Sequence, residues 1–163
     1  MIVVGIDPGL SGAIAILENN KVLNIFDMPV MAEGKKNKRQ LNSAQLVSII
    51  KDSTKSDTEI AVVVEQVNAM PGQGVTSMFN FGQTFGAIKG VCAALELPIF
   101  FVRPSKWKKH FELINSSKDS SRTKAIEMYP KLSSHLSKKK DVNKSDAILI
   151  ARFFNETRLT DGN

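Results

Sequence analysis

Two apolar runs end in a carboxylate: Ile2-Val3-Val4-Gly5-Ile6 leads into Asp7, and Ile60-Ala61-Val62-Val63-Val64 leads into Glu65. A charge beside a core is expensive unless it is paired, hydrated or metal-bound. If the runs are neighbouring parallel strands, both acids emerge at one edge of a sheet. A third acid, Asp146, precedes Ala147-Ile148-Leu149-Ile150-Ala151, an almost wholly apolar stretch whose first helical turn should lie against that sheet. Hard oxygen donors at one point suit magnesium or manganese, and clustered acids with few histidines disfavour zinc. Each acid alone has an ordinary explanation. Asp7 could bond turn amides near Gly9, Glu65 could cap a loop, and Asp146 could favour a helix N-terminus. Combined with clustered positive charge, the set points to metal-dependent cleavage of a nucleic-acid backbone.

The elements that must position these acids follow from the pattern. Ile2 to Ile6 and Ala13 to Leu17 form a hairpin around Gly9 and Gly12, and Lys21 to Met28 continues the meander until Pro29. Val30 to Gln40 is polar and basic, which predicts a loop, and Leu41 to Lys51 has helical spacing through Leu46, Ile49 and Ile50. Ile60 to Val64 is a buried-type strand that follows a helix, so it pairs in parallel and the sheet becomes mixed. Pro71 to Gly74 is a loop. Val75 to Leu95 is a long helix with Gly82, Gly86 and Gly90 at four-residue spacing. Each helical glycine costs about 1 kcal/mol against alanine, so something packs closely there, either the sheet or a second copy of the chain. Pro98 to Val102 is a further strand, and helices are predicted over Ser105 to Phe111, Ser120 to Met128 and Lys144 to Phe154. Residues 1–157 are one domain and 158–163 a frayed tail.

The chain has 163 residues with 42% apolar composition, the size of one domain with a real core. No apolar run nears the roughly 18 residues that span a bilayer, and Met1 enters a strand directly, so the expectation is an unprocessed, soluble, cytoplasmic protein. Cys92, the only cysteine, lies in an apolar stretch, which leaves no disulfide framework or thiolate zinc site. Lys plus Arg number 22 against 16 Asp plus Glu, a net charge of +6. The basic residues cluster at Lys35-Lys36-Asn37-Lys38-Arg39, between Arg103 and Lys109, and at Lys138-Lys139-Lys140. Clustered positive charge favours a polyanion by counterion release.

Four segments, in order, are Ile6-Asp7-Pro8-Gly9-Leu10-Ser11-Gly12, Glu65-Gln66-Val67, Phe81-Gly82-Gln83-Thr84-Phe85-Gly86, and Ser145-Asp146-Ala147-Ile148-Leu149-Ile150-Ala151. The ordered set resembles the RuvC Holliday-junction resolvases over Ile2 to about Phe154. Val102-Arg103-Pro104-Ser105-Lys106-Trp107-Lys108-Lys109 and Asp119-Ser120-Ser121-Arg122 look closest to the phage and prophage branch. The resemblance implies an α/β, ribonuclease H-like fold, with a mixed five-stranded sheet flanked by helices. It also implies a homodimer that binds four-way junctions in DNA recombination and repair and cuts two opposed strands with Mg2+, for which Mn2+ substitutes. Asp7, Glu65 and Asp146 match the family acids.

The fourth family ligand, an Asp or His three residues before the last acid, falls here on Asn143, a neutral amide. Either Asn143 serves with looser metal binding or Asp141 replaces it, and Asn143 is the favoured assignment. Asn68 stands where bacterial members often carry an aromatic that stacks into the opened junction, and Met70 could substitute as a wedge. By the same resemblance Lys108, with Lys118 or Arg122, contacts phosphate, Lys106 and Lys109 add DNA contacts, and Lys36, Lys38 and Arg39 raise affinity. The implied reaction is two-metal hydrolysis leaving 5′-phosphate ends, with Asp7 bridging the ions. The rival reading is a non-catalytic branched-DNA binding module with a degraded active site. An actin-like phosphotransferase would need a larger two-domain body.

Overall fold

The computed structural model describes residues 1–34, 37–54 and 58–160. Its central sheet has five strands in the order β3-β2-β1-β6-β7, formed by Lys21–Asp27, Ala13–Glu18, Ile2–Asp7, Ile60–Glu65 and Ile99–Val102. β1 pairs antiparallel with β2 and parallel with β6, and β7 adds in parallel to β6, so the sheet is mixed as expected. β1, β2 and β6 are apolar on both faces because both faces are covered. On one face Ile2, Val4, Ile6, Ile14 and Val62 pack with residues of α1 (Ser43–Ser53) and α2 (Val75–Ala94). On the other, Val3, Ala15, Leu17 and Val63 pack with residues of α3 (Pro104–His110), α4 (Ser120–Met128) and α5 (Val142–Thr160). Cys92 is fully buried in the first of these cores and carries no disulfide.

Three differences from the sequence expectation are physical. Val30–Glu33 (β4) and Lys38–Leu41 (β5) form a separate two-stranded ribbon where a loop was predicted. Of the ribbon's residues only Leu41, at the end of β5, joins a buried core, so the period-2 hydrophobic signal that betrays a strand is missing. α5 starts at Val142 and runs to Thr160, extending into the segment expected to fray. There Arg158 donates to Glu59 Oε1 at 2.8 Å and its guanidinium lies 5.9 Å from the Phe154 ring centroid. Gly82, Gly86 and Gly90 lie on the exposed side of α2, where an added Cβ would meet nothing within 4 Å, so no part of the described chain packs there.

Glycine is decisive at two other positions. A Cβ on Gly5 would fall 2.2 Å from the Ala147 carbonyl oxygen and 2.8 Å from Ala151 Cβ, so α5 lies directly on β1 backbone. A Cβ on Gly12 would fall 2.0 Å from the Asp7 carbonyl oxygen. There Gly12 N–H donates to Gly9 O at 2.9 Å and closes the turn between β1 and β2.

Candidate active site

The β1–β6 register runs through Ile6 opposite Val64, which leaves Asp7 and Glu65 as the next residues of two parallel neighbours. Both therefore leave the sheet at one edge. α5 crosses the same strands on Gly5, and Asp146 is the residue before Ala147, the point of closest approach. The close β1–α5 packing thus brings the third carboxylate to the other two.

Their electrostatics report the convergence. Burial, followed by the charges of Glu65 and Asp146, pushes the Asp7 carboxyl up to about 7. Burial raises Asp146 to about 6, with Glu65 adding to the rise while the Ser121 hydroxyl and Lys108 oppose it. Glu65 is also raised by burial, opposed by Trp107 and Lys108. One oxygen of Asp146, Oδ1, is buried without a hydrogen-bond partner. Among the described residues no three Asp, Glu, His or Cys side chains are drawn together as a closed set of metal ligands. The three carboxylates are nonetheless coupled through space, the charges of Glu65 and Asp146 each raising the proton affinity of a neighbour. Their hard oxygens, raised proton affinities and the unpaired Oδ1 fit a divalent cation of the magnesium or manganese class.

Other residues divide into those brought to the acids and those held away. Lys108, on α3, acts on all three carboxylates. It also helps line a cavity of about 300 Å³ with Ser117, Lys118, Ser121, Asn143 and Asp146. Lys106 and Lys109 are exposed elsewhere on α3. Arg122 is not brought to the acids: it pairs with Asp119 at 2.7 and 2.8 Å and donates to the Leu136 and Ser137 carbonyls, so its guanidinium is spent tying α4 to the following loop. Met70 and Asn68 are exposed in the loop after β6. Lys38 and Arg39 lie exposed on the ribbon, whereas Lys36 falls outside the described residues. Two participants escaped the sequence reading of roles. Ser121, buried on α4, holds Asp146. Trp107 donates its indole N–H to Glu65 Oε1 at 2.9 Å. A lone tryptophan inside a basic segment was the available signal, since a buried indole needs an acceptor.

The choice between Asn143 and Asp141 is a matter of geometry. Asp141 is 4% exposed; burial would raise its carboxyl, but the Lys138 amide and Lys144 hold it below the ordinary range. Its oxygens accept from Lys138 N at 2.8 Å and Lys144 Nζ at 3.3 Å, leaving it a structural cap. Asn143 lines the cavity beside Asp146 and donates from Nδ2 to Ser11 O at 2.6 Å. Asn143→Asp is therefore expected to cost the cation-free protein about 1 kcal/mol by setting a carboxylate against that carbonyl. The added charge is expected to lower the magnesium midpoint for cleavage. Asp141→Ala is expected to melt earlier with an unchanged midpoint. Melting curves and magnesium titrations of both variants decide; a raised midpoint with unchanged melting in Asp141→Ala would reverse the assignment.

No family model and no curated protein matches the sequence. Solved structures do match. Thermus thermophilus RuvC in complex with a Holliday-junction substrate is 17% identical at a TM-score of 0.62, covering 98% of this chain and 96% of that one. A second structure of Thermus thermophilus RuvC is 18% identical at 0.58, covering 98% and 97%. The chain has the RuvC fold. The yeast mitochondrial Holliday-junction resolvase Ydc2 is also similar, with 13% identity at 0.55, covering 98% of this chain and 80% of that one. The expected ribonuclease H-like, five-stranded architecture is thus the observed one. Among the described residues no helix of this RuvC-like chain is long and apolar enough to cross a membrane.

Proposed function

We propose that this chain is a structure-selective endodeoxyribonuclease that resolves Holliday junctions or related branched DNA by divalent-metal-dependent hydrolysis, leaving 5′-phosphate ends. The observation that carries the reading is the meeting of Asp7, Glu65 and Asp146, all with raised proton affinity, at one edge of a RuvC-like sheet. Asp7, Glu65 and Asp146 would hold Mg2+ or Mn2+, with Asn143 beside them. Such ions, when bound, supply an activated water and stabilise the leaving oxygen.

The protein's own groups do the rest. Lys108 stands in the field of all three acids and offsets negative charge that develops on a phosphate brought there. Lys118 and Ser117 on the adjoining cavity wall supply donors to the DNA backbone. Lys106 and Lys109, and Lys38 and Arg39 on the ribbon, add sequence-independent affinity. Met70, 59% exposed, would wedge between unstacked bases, a reading its exposure supports. The Arg103-Pro104 opening of α3 fits the phage-type branch. The deciding experiment incubates labelled four-way junction, fork and linear duplex with the protein across magnesium and manganese concentrations. Junction binding without cutting at any of them would favour the non-catalytic binding module.

Two opposed cuts need two sites related by a twofold axis, so the reading includes a homodimer. The exposed side of α2 suits it, with Val75 84% and Phe79 66% exposed and three open glycines beyond them. Gly86→Leu is expected to leave the protomer folded, because that position is open and glycine is the poorer helix former by about 1 kcal/mol. The same change is expected to shift the solution mass from dimer to monomer at micromolar concentration. A parent protein that is monomeric with and without junction DNA would remove the dimer from the proposal.

A further inference from the structure

Glu65 is the acid with the longest reach of the three, and something must decide where its carboxylate points. Its immediate neighbour is Trp107, fully buried on α3, whose indole N–H donates to Oε1 at 2.9 Å. An indole is a donor only and carries no charge. It can fix one oxygen without neutralising the carboxylate, which a lysine or arginine in its place would do. The commitment of Oε1 leaves Oε2 as the oxygen free to meet a cation. The next residue, Lys108, places its ammonium 5.3 Å from the same ring's centroid, within the range of a cation–π contact. One ring therefore touches both an acid of the site and its central lysine. α3 itself is anchored from behind, where His110 Nε2 lies 2.6 Å from Glu156 Oε2 of α5 and the His110 ring packs edge-on against Phe153.

We propose that Trp107 is the positioning residue of the site, its indole N–H orienting the Glu65 carboxylate for the cation while its face seats Lys108. This rests on the metal reading of the three acids. It goes beyond that reading in making cation affinity depend on a neutral side chain that contacts neither metal nor DNA.

Hydrogen-bond partners of metal-binding groups typically govern affinity by about 10- to 100-fold when removed. Trp107→Phe keeps an aromatic ring and deletes the donor, so Mn2+ binding measured by titration calorimetry is expected to weaken by about tenfold or more. Leu17→Val trims the same core on β2, away from the acids, and is expected to bind Mn2+ within about twofold of the parent. Parent-like binding by Trp107→Phe, or equal weakening in both variants, overturns the inference while leaving the metal reading in place. A parent that binds no Mn2+ overturns both. Because Trp107 is the chain's only tryptophan, the parent protein has a single indole N–H resonance. Saturating Mg2+ is expected to shift that resonance. A signal unmoved by Mg2+ in a parent that binds Mn2+ counts against the inference even if Trp107→Phe fails to fold.

Discussion

Asp7→Asn is expected to reduce junction cleavage by roughly three orders of magnitude, the scale of losing several kcal/mol of metal-derived stabilisation, while junction binding stays near the parent's. The same change is expected to make the cation-free protein more stable. Asp7 is raised from 3.8 to about 7 in the fold, so the folded chain holds this proton more tightly than the unfolded chain. That preference is fully present below about pH 4 and is lost as pH rises through about 7. Asp146, raised to about 6, and Glu65 act in the same direction. The cation-free fold therefore weakens between pH 4 and 7, and removing the Asp7 charge relieves part of the strain.

A relief of about 2 kcal/mol corresponds to roughly 4–8 °C in melting temperature for a chain of this size. The expected pattern has three parts: Asp7→Asn melts above the parent at pH 8, the two converge near pH 4, and Mg2+ narrows the gap at pH 8 by stabilising the parent alone. Melting curves at the two pH values with and without Mg2+, beside a cleavage assay, check it. Active enzyme, or a variant less stable than the parent at pH 8, would dispose of the carboxylate assignment.

Gly5→Ala should strike both fold and chemistry from a position that touches no substrate. The added methyl would lie 2.2 Å from the Ala147 carbonyl oxygen, and backbone on both sides cannot swing aside as a side chain would. Overpacking of this kind costs about 3 kcal/mol or more, seen as a fall in melting temperature of roughly 6–12 °C. α5 must also lift off β1, which carries Asp146 away from Asp7 and Glu65. A displacement of about 1 Å at a catalytic group is enough for about a 100-fold loss of rate. Cleavage is to be measured at a temperature where circular dichroism shows the variant folded. Parent-like melting, or full activity, would mean that the close contact does not position the site.

The sequence made the sheet and its acids readable because their signals are local. An unbroken β-branched run that ends in a carboxylate marks a covered strand and an edge position at once, and both such runs behaved as expected. Asp146 was placed by the apolar stretch that follows it. The unread parts depend on partners distant in the chain. Trp107 and Glu65 are 42 residues apart, and nothing near either names the other. Arg122 had the residue type of a phosphate ligand, but Asp119 three positions earlier and two carbonyls take its donors. An acid three positions earlier was visible; the Leu136 and Ser137 carbonyls, 14 and 15 residues on, were not. The β4–β5 ribbon was hidden by its own exposure, since a pair of strands that buries Leu41 alone carries no periodic signal. The glycines of α2 were legible as unusual, but no part of the described chain packs against them.

The seating of α5 on β1 through Gly5 also governs the order in which this molecule comes into being. The first three strands can pair through local hairpins, which form on microsecond timescales, and β6 and β7 must wait for their crossover helices. None of this assembles the site. Residue 146 belongs to the last described helix, and that helix also covers Val3, Ala15 and Leu17. A chain caught before α5 docks would hold only two of its acids and would bare one face of its sheet. Burial of that face and completion of the carboxylate set therefore depend on one docking contact, and a chain without it lacks the full set of acids.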